Sequence, residues 1–403
     1  MNVAIRCWRI RHTASIFSSM ENQPGRLAIV MGGGGARAAY QVGLLQALAK
    51  HRPDLELDIV TGVSAGAINA AHLAGHPGSF AAATDALAAL WLGLSTDHVF
   101  RTDWPSLFER VLRSGLQLIS GGRRLPGRPR GMVDTEPLRC FLRKALDAEP
   151  VGGVLTGIRE NLARGKLRAV AVTTSSYSAG TSVTWVEGEE IAPWRRSHRV
   201  GIRCELSVEH VMASSSLPLL FPSVVLDGQW HGDGGIRQSA PLSPAVHLGA
   251  QRILAISTRH KSGSAAAANT PMIDGYPPPA QIAGSLINAL FLDLLDADAL
   301  RLERVNDLLA RIPEERRDGL RPIELLLFRP SRDLGALAND YEPQLPRGFR
   351  FLTRGLGTRQ TRSNDFLSLV MFQPDYLQQL IELGRADGEK RLDELLAFTA
   401  PRY

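Results

Sequence analysis

The chain has 403 residues, of which 44% are hydrophobic and 21% charged, so it can bury a large core and does not have the composition of a disordered chain. Its 46 basic and 40 acidic residues leave a formal charge of +6, and no charge run is long enough to indicate nucleic acid as a partner. Three widely spaced cysteines and the lack of a run of about 20 apolar residues argue against a disulfide framework and a membrane span, so we expect a cytoplasmic protein.

Residues 1–24 are expected to lie outside the folded domain. The first twenty residues mix Arg6, Arg9, Arg11 and His12 with an apolar run too short for a secretory signal. We interpret this segment as a disordered or misassigned tail, with Met20 as a candidate true start.

Two strand–turn–helix units follow within about fifty residues. The fully apolar run Leu27–Met31 predicts a buried parallel strand, and apolar residues at helical spacing predict a helix over Ala36–Lys50. Leu57–Val60 is a second predicted strand, and Ala65–Ala74 is rich in small helix-forming residues. This alternation is typical of a parallel α/β sheet.

The remaining segments continue the mixed pattern without an internal repeat. Apolar runs predict strands, and apolar residues at helical spacing predict helices, the longest of which should pack against the sheet. The predicted strands are Leu167–Thr173, Thr181–Val186, Arg252–Ile256 and Ile323–Phe328, and the predicted helices are Val208–Ser214, Ala245–Ala250, Ile282–Ile312 and Pro374–Phe398.

Two polar stretches are predicted to be loops, Gly121–Gly131 and Lys261–Pro279. The first contains four arginines and follows an amphipathic segment over residues 107–119. An amphipathic helix that leads into a basic loop suits an anionic bilayer, so peripheral contact at the inner membrane face is one hypothesis. A solvated surface insertion is the alternative.

The segment Gly62–Gly66 reads Gly-Val-Ser-Ala-Gly and fits G-x-S-x-G between a predicted strand and a predicted helix. In that context the serine occupies a strained turn, and glycines are needed where side chains would collide with the neighbouring strand and helix. We therefore predict that Ser64 is a nucleophile, exposed at a helix N-terminus where the helix dipole favours negative charge.

Four consecutive glycines, Gly32 to Gly35, separate the first strand from the first helix. Their unobstructed N–H groups could stabilise an oxyanion beside Ser64, or they could bind a dinucleotide, because Gly33, Gly35 and Ala38 satisfy G-x-G-x-x-A. A dinucleotide site needs an acidic residue at the end of the second strand, whereas Asp58 begins that strand. The loop is therefore assigned to an oxyanion hole.

A nucleophilic serine needs a base. His210, His231 and His260 lie late enough for a Ser-His-Asp order, but none is in a distinctive context. Asp233 stands in Gly-Asp-Gly-Gly, a turn that would let a carboxylate approach another backbone closely, although Asp-Gly turns are common.

Together these motifs resemble the patatin-like phospholipase family. The resemblance rests on Gly-Gly-Gly-x-Arg at Gly33–Arg37, on the serine motif, on Asp-Gly-Gly at Asp233–Gly235 and on Ala213–Pro222, which is similar to the segment before the family's aspartate turn. Order and spacing match over roughly residues 26 to 260, and the region of Phe372–Gly384 looks like the end of bacterial members.

The resemblance implies a three-layer α/β/α fold with a mainly parallel central sheet and a Ser-Asp dyad without a catalytic histidine. Ser64 would attack a lipid acyl ester and Asp233 would accept its proton, while Gly33, Gly34 and Gly35 hold the oxyanion and Arg37 anchors the loop or the substrate. No metal and no cofactor are implied. Residues 25–260 would form the catalytic core, with residues 261–403 as an extension packed on the same domain.

Two departures from the family pattern concern the edge of the site. Ala38 replaces the usual glycine, and Ile236–Pro241 replaces a stretch that is rich in asparagine in many members. Three readings therefore stay open beside the hydrolase: a lipid transacylase, a nucleotide-binding oxidoreductase and a catalytically silent lipid-binding protein.

Overall fold

The computed structural model describes residues 25–101, 131–188, 191–260, 278–289, 293–355 and 363–402. Within these residues one mixed sheet contains ten strands. They are β1 (Leu27–Met31), β2 (Ile59–Val63), β3 (Ala169–Ser176), β4 (Thr181–Gly188), β5 (Trp194–Arg196), β6 (Arg199–Arg203), β7 (Val224–Leu226), β8 (Gln229–Asp233), β9 (Arg252–Ile256) and β10 (Glu324–Phe328).

The centre of the sheet is parallel. Strands β10, β9, β1, β2 and β3 lie side by side in that order and run in the same direction. Beyond β3 the order continues through β4, β6 and β5, with β4 antiparallel to β3. The hairpin of β7 and β8 joins through the pairing of β8 with the end of β3.

The described helices connect these strands or close the chain. They are α1 (Ala39–His51), α2 (Ala65–Gly75), α3 (Phe80–Leu92), α4 (Thr96–Val99), α5 (Glu136–Ala145), α6 (Thr156–Ala163), α7 (Val208–Ser214), α8 (Ser243–His247), α9 (Pro279–Ile287), α10 (Asp293–Ala310), α11 (Leu334–Asn339), α12 (Arg347–Gly355), α13 (Asp365–Val370), α14 (Pro374–Lys390) and α15 (Leu392–Thr399). Among the residues described, no helix is both long enough and apolar enough to cross a bilayer.

Helices cover both faces of the sheet. Alternate residues of β1 enter two different cores: Ile29 and Met31 pack with α1, α2, α3, α7 and α14, while Ala28 and Val30 pack with α8 and α10. A parallel strand buried on both faces must be apolar throughout, which is why Leu27–Met31 has no polar residue. The predicted three-layer α/β/α fold with a mainly parallel sheet is confirmed.

The C-terminal part of the chain adds to both layers. Strand β10 extends the sheet beside β9, and α14 packs on α1 with almost no space between the backbones. A side chain at Gly43 would come within 1.8 Å of the Ile381 carbonyl oxygen, and one at Gly384 within 2.0 Å of the Tyr40 carbonyl oxygen. Only glycine fits at these two positions.

Several predicted boundaries differ from the structure. The first helix is preceded by a 3-10 turn at Gly35–Ala38, and the predicted closing helix ends at Lys390 before a separate α15. The predicted helix Ile282–Ile312 corresponds to α9 and α10, with residues 290–292 outside the described residues. Its predicted apolar stripe is not buried throughout, because Leu286 is 60% exposed whereas Leu309 is buried.

Candidate active site

Ser64 lies at the sharp corner between β2 and α2. Its backbone has φ 56° and ψ −133°, a left-handed conformation that costs free energy in a residue other than glycine. The corner directs the chain from the C-terminal end of β2 straight into the first turn of α2, and the helix begins at Ala65. This is the strained strand-to-helix turn that the serine motif predicts.

The two glycines of the motif are required by close backbone contacts. A side chain at Gly62 would lie 2.3 Å from the Gly66 carbonyl oxygen, and one at Gly66 would lie 2.4 Å from that of Met31 and 2.5 Å from that of Gly32. Gly66 therefore lets α2 approach the end of β1 and the start of the glycine loop. These contacts bring the loop and Ser64 together.

Ser64 is not exposed, contrary to the sequence-based expectation. Only 3% of the residue is accessible, because it lies at the base of a cleft. The cleft is narrow, and apolar side chains dominate its lining. The lining residues are Gly35, Ser64, Ala65, Ile68, Trp91, Leu94, Val99, Leu138, Ser215, Leu217, Phe221, Leu369 and Phe372.

Strand pairing brings Asp233 next to Ser64. Strand β4 pairs with β3 over its whole length, so β2 and β8 must share the other edge of β3. Along that edge Val63 lies opposite Thr173, and Asp233 lies opposite the next residue, Thr174. The C-terminal ends of β2 and β8 therefore meet head to head, about one residue rise of ~3.3 Å apart.

The Asp233 carboxyl is fully buried. Its Oδ1 accepts a hydrogen bond of 2.9 Å from the Gly235 N–H, whereas Oδ2 accepts no hydrogen bond of regular geometry from any described residue. Burial raises the pKa of Asp233 to about 7, and the nearby Ser64 hydroxyl and the Gly235 N–H lower it in part. The buried oxygen without a partner and the serine hydroxyl are thus neighbours.

Three consecutive serines at the end of α7 hold the backbone at both residues. The Ser64 N–H donates to Ser214 Oγ at 2.9 Å, and Ser215 Oγ donates to the Ser64 carbonyl oxygen at 3.0 Å. Ser214 Oγ in turn donates to the Thr173 carbonyl oxygen at 2.7 Å. The Asp233 N–H donates to the Ser216 carbonyl oxygen at 2.9 Å, so one helix end fixes the strained serine and the aspartate together.

The glycine loop lies against the serine. A side chain at Gly33 would meet Ser64 Cβ at 2.9 Å, and the Gly33 carbonyl oxygen accepts a 2.6 Å bond from Thr258. Gly34 and Gly35 have φ of 146° and 55°, which favour glycine. The N–H groups of Gly33, Gly34 and Gly35 donate to no residue in the described part of the chain.

Arg37 anchors this loop to the C-terminal region. Its guanidinium is buried and donates from Nε to Ser368 Oγ at 2.6 Å and from Nη2 to Asp365 Oδ1 at 2.6 Å. Of the two roles left open for Arg37, the contacts are those of a loop anchor. Gln41 supports the same loop, because its Nε2 donates to the Gly32 carbonyl oxygen at 2.8 Å.

The three histidines considered as bases make other contacts. His231 Nδ1 bonds with Thr174 Oγ1 at 3.0 Å, His210 bonds with Ser207 at the start of α7, and His260 bonds with the Pro330 carbonyl oxygen. Burial lowers the pKa of both His231 and His210. Within the described residues, none of these three rings bonds to Ser64 or Asp233.

The dinucleotide alternative lacks its acidic residue. Asp58 precedes β2 at the opposite edge of the sheet from the glycine loop, and its Oδ2 accepts the Leu27 N–H at 2.8 Å. A ribose beside the glycine loop would therefore lie a strand length away from this carboxylate. A wider cleft also lies at that opposite edge and contains none of the predicted site residues.

Some residues of the site gave no sufficient signal in the sequence. Ser214, Ser215 and Ser216 lie within the segment that resembles the family pattern, but nothing in their spacing predicts bonds to Ser64 and Asp233. Thr258 and Asp365 carry no sequence signal at all, since they reach the loop from 223 or more residues away along the chain. The basic segment Gly121–Gly131 and the amphipathic segment before it lie outside the described residues, apart from Gly131.

Fold and site together define an α/β protein with a serine elbow, a glycine-rich loop and a buried carboxylate at one sheet edge. The model of the patatin-like phospholipase family matches residues 29–246, which is more than half of the chain. The protein belongs to the patatin-like phospholipase family. A search of curated protein sequences gave no match.

Solved structures with similarity to the chain include human GIVD cytosolic phospholipase A2 in complex with methyl gamma-linolenyl fluorophosphonate. That comparison has a TM-score of 0.43 and 16% identity, and it covers 96% of this chain and 61% of the human one. VipD from Legionella pneumophila has a TM-score of 0.35 and 14% identity, with 89% of this chain and 67% of VipD covered. The effector ExoU of Pseudomonas aeruginosa has a TM-score of 0.35 and 15% identity, with 93% and 53% covered. The chain spans about three fifths of the length of the human protein.

Proposed function

We propose that the protein is a serine acyl hydrolase that cleaves acyl esters of lipids, as a phospholipase A or a lipid esterase. The observation that carries the proposal is the register of β3: Val63, the residue before Ser64, and Asp233 lie opposite adjacent residues on one edge of that strand. Family membership supports lipid hydrolysis. The apolar cleft above Ser64 supports it too, because an acyl chain would bury its methylene groups there.

In the proposed mechanism, Ser64 Oγ attacks the ester carbonyl carbon while Asp233 accepts the hydroxyl proton. The oxyanion that forms accepts hydrogen bonds from N–H groups of Gly33, Gly34 and Gly35. Collapse of this intermediate breaks the ester bond, and the departing alcohol takes the proton from Asp233. Asp233 then removes a proton from water, which hydrolyses the acyl-serine and restores the Ser64 hydroxyl.

A buried carboxylate suits the role of base near neutral pH. Burial raises the pKa of Asp233 to about 7, which makes it a stronger proton acceptor than an exposed carboxylate while a large fraction remains ionised. Because the ionised form is the base, the rate should rise with pH through about 7. A histidine is not needed for this chemistry.

Analysis of lipid products tests the proposal. The wild type and three variants, Ser64→Ala, Asp233→Asn and His231→Gln, are incubated with a mixed phospholipid extract, and free fatty acids and lysolipids are quantified. We expect the wild type to release both, Ser64→Ala and Asp233→Asn to lose release to a similar extent because the two residues act as a unit, and His231→Gln to retain most of it.

Three results would contradict parts of this account. Release of fatty acid by Ser64→Ala at the wild-type rate would exclude Ser64 as nucleophile. A loss in His231→Gln as deep as that in Asp233→Asn would favour a histidine triad. Transfer of the acyl chain to an added alcohol in place of release as free acid would identify a transacylase.

A further inference from the structure

The C-terminal edge of the sheet carries a surface beyond the serine site. Strand β3 ends there at Ser176, opposite the first residue of β4, Thr181. Since β6 runs parallel to β4 and pairs Arg199 with Ser182, β6 also begins at this edge. Antiparallel β5 ends here with Arg196 opposite Arg199. Residues at the ends of these strands therefore lie on the same rim as Ser64 and Asp233.

Two arginines, Arg196 and Arg199, oppose each other on this rim and form no ion pair with a described acidic residue. Arg196 and Arg199 are directly opposite across β5 and β6, an arrangement that destabilises a sheet when both residues carry the same charge. Neither forms an ion pair with an acidic side chain of the described residues. Asp298, which is half-buried, interacts with Arg199 only at longer range. The uncompensated charge suits an anionic partner.

A third arginine, Arg237, is exposed and continues the basic surface towards the catalytic edge. Arg237 follows the Gly234–Ile236 turn, four residues after Asp233, and its guanidinium lies beside Gly180 in the turn between β3 and β4. Within the described residues it too has no acidic partner. The basic residues thus extend from β5 across the ends of β6 and β4 to the segment after β8.

The hairpin of β7 and β8 presents an apolar face on the same rim. Its inward residues Val224 and Leu226 are buried, whereas Val225 is 47% and Trp230 44% exposed. Val225 and Trp230 form a directly opposed cross-strand pair, so their side chains lie together. Tyr177 extends this face, because its half-exposed ring covers Gly232 on the side to which Trp230 points.

We propose that this combined surface docks the protein on an anionic lipid bilayer, with the sheet edge that carries Ser64 facing the membrane. The rim surface comprises Tyr177, Arg196, Arg199, Val225, Trp230 and Arg237. Tryptophan and tyrosine favour the headgroup region, and arginines attract anionic headgroups. A nucleic acid would use the arginines but would leave the Val225 and Trp230 pair in water. The inference rests on the proposed function in one respect: it takes the substrate to be an acyl lipid in the bilayer.

Vesicle co-sedimentation tests the docking. The full chain is mixed with vesicles of phosphatidylcholine alone or of phosphatidylcholine with phosphatidylglycerol, at low and high salt. Two test variants are used: Arg196→Gln/Arg199→Gln/Arg237→Gln and Trp230→Ser. Two matched controls lie at the opposite edge of the sheet. Arg203→Gln, at the end of β6, replaces an exposed arginine that forms no ion pair with a described residue, and Val151→Ser replaces a residue that is 85% exposed.

The expected result is stronger binding of the wild type to anionic than to neutral vesicles, weakened by salt. The triple arginine variant should bind anionic vesicles roughly hundredfold more weakly, at about fivefold for each arginine. Trp230→Ser should bind both vesicle types roughly tenfold more weakly. Both controls should bind as the wild type does, and thermal unfolding midpoints should show that all variants fold.

The proposal would be overturned if the triple variant bound vesicles as well as the wild type does. It would also be overturned if Arg203→Gln lost as much vesicle binding as the triple variant. Binding to a DNA duplex through the same arginines, without binding to vesicles, would assign the surface to nucleic acid instead. Turnover of a soluble short-chain ester distinguishes failure of the proposed function, since Trp230→Ser should retain it. A wild type that binds anionic vesicles yet cleaves no ester would refute the hydrolase and leave the docking surface intact.

Discussion

Burial of the Asp233 carboxyl should make it a stronger base and should lower the free energy of unfolding where the group is ionised. The side chain is inaccessible to solvent, and burial raises its pKa from an ordinary 3.8 to about 7. Between these two values the folded state binds a proton that the unfolded state has lost. The free energy of unfolding must therefore fall as pH rises from about 4 to about 7, and the ionised carboxylate is the destabilising form.

The magnitude follows from the two pKa values. Their difference corresponds to about 4 kcal/mol, at 1.36 kcal/mol for each pH unit. Asp233→Asn removes the ionisation but keeps an oxygen that can accept the Gly235 N–H. We therefore expect the variant to be more stable than the wild type by up to about 4 kcal/mol at pH 8 and of similar stability at pH 4.

Urea unfolding of both proteins at pH 4, 6 and 8 measures this difference directly. Comparison of variant and wild type at each pH cancels the titration of all other groups. Asp307→Asn is the control, because this carboxylate of α10 is exposed and its replacement should give the same small difference at each pH. An Asp233→Asn variant that is equally stable or less stable at pH 8 would refute the view that Asp233 is held at a free-energy cost.

Three further predictions concern the residues that shape the site. Ser214→Ala removes the group that bridges the Ser64 N–H and the Thr173 carbonyl oxygen, so kcat should fall about tenfold with little change in KM. Ser216→Ala removes a hydroxyl that donates to the Met212 carbonyl oxygen and should keep kcat; equal rates of the two variants would refute the bridge. Arg37→Met should lower the free energy of unfolding by about 3 kcal/mol in urea, because it leaves Asp365 without its cation, and an unchanged value would contradict the anchor. Gly35→Ala would place Cβ 2.1 Å from the Leu369 carbonyl oxygen. It should therefore lower the free energy of unfolding by about 2 kcal/mol more than Gly165→Ala, a site with a similar positive φ but open space around it. Equal decreases would show that φ alone accounts for the effect.

Local patterns were sufficient for much of the fold. The apolar run of β1 and the serine motif between a strand and a helix specify parallel α/β units, because each strand must be buried on both faces. Helix α7 was predicted with its observed bounds, Val208–Ser214. Local patterns did not predict the strands whose formation depends on packing against distant segments. Strands β5 and β6, the last two at one side of the sheet, are short and rich in arginine, and β7 and β8 are too short for a clear alternation of polar and apolar residues.

The sequence by itself determined which residues are chemically equipped for the site: Ser64 between a predicted strand and a predicted helix, the glycine run before the first helix, and Asp233 in a turn framed by glycines. Only the tertiary structure decided how they meet. The adjacency of Ser64 and Asp233 depends on β2 and β8 sharing one edge of β3, and the raised pKa of Asp233 depends on helices that bury it. Pairing register and burial arise from contacts between distant segments, which no local pattern encodes.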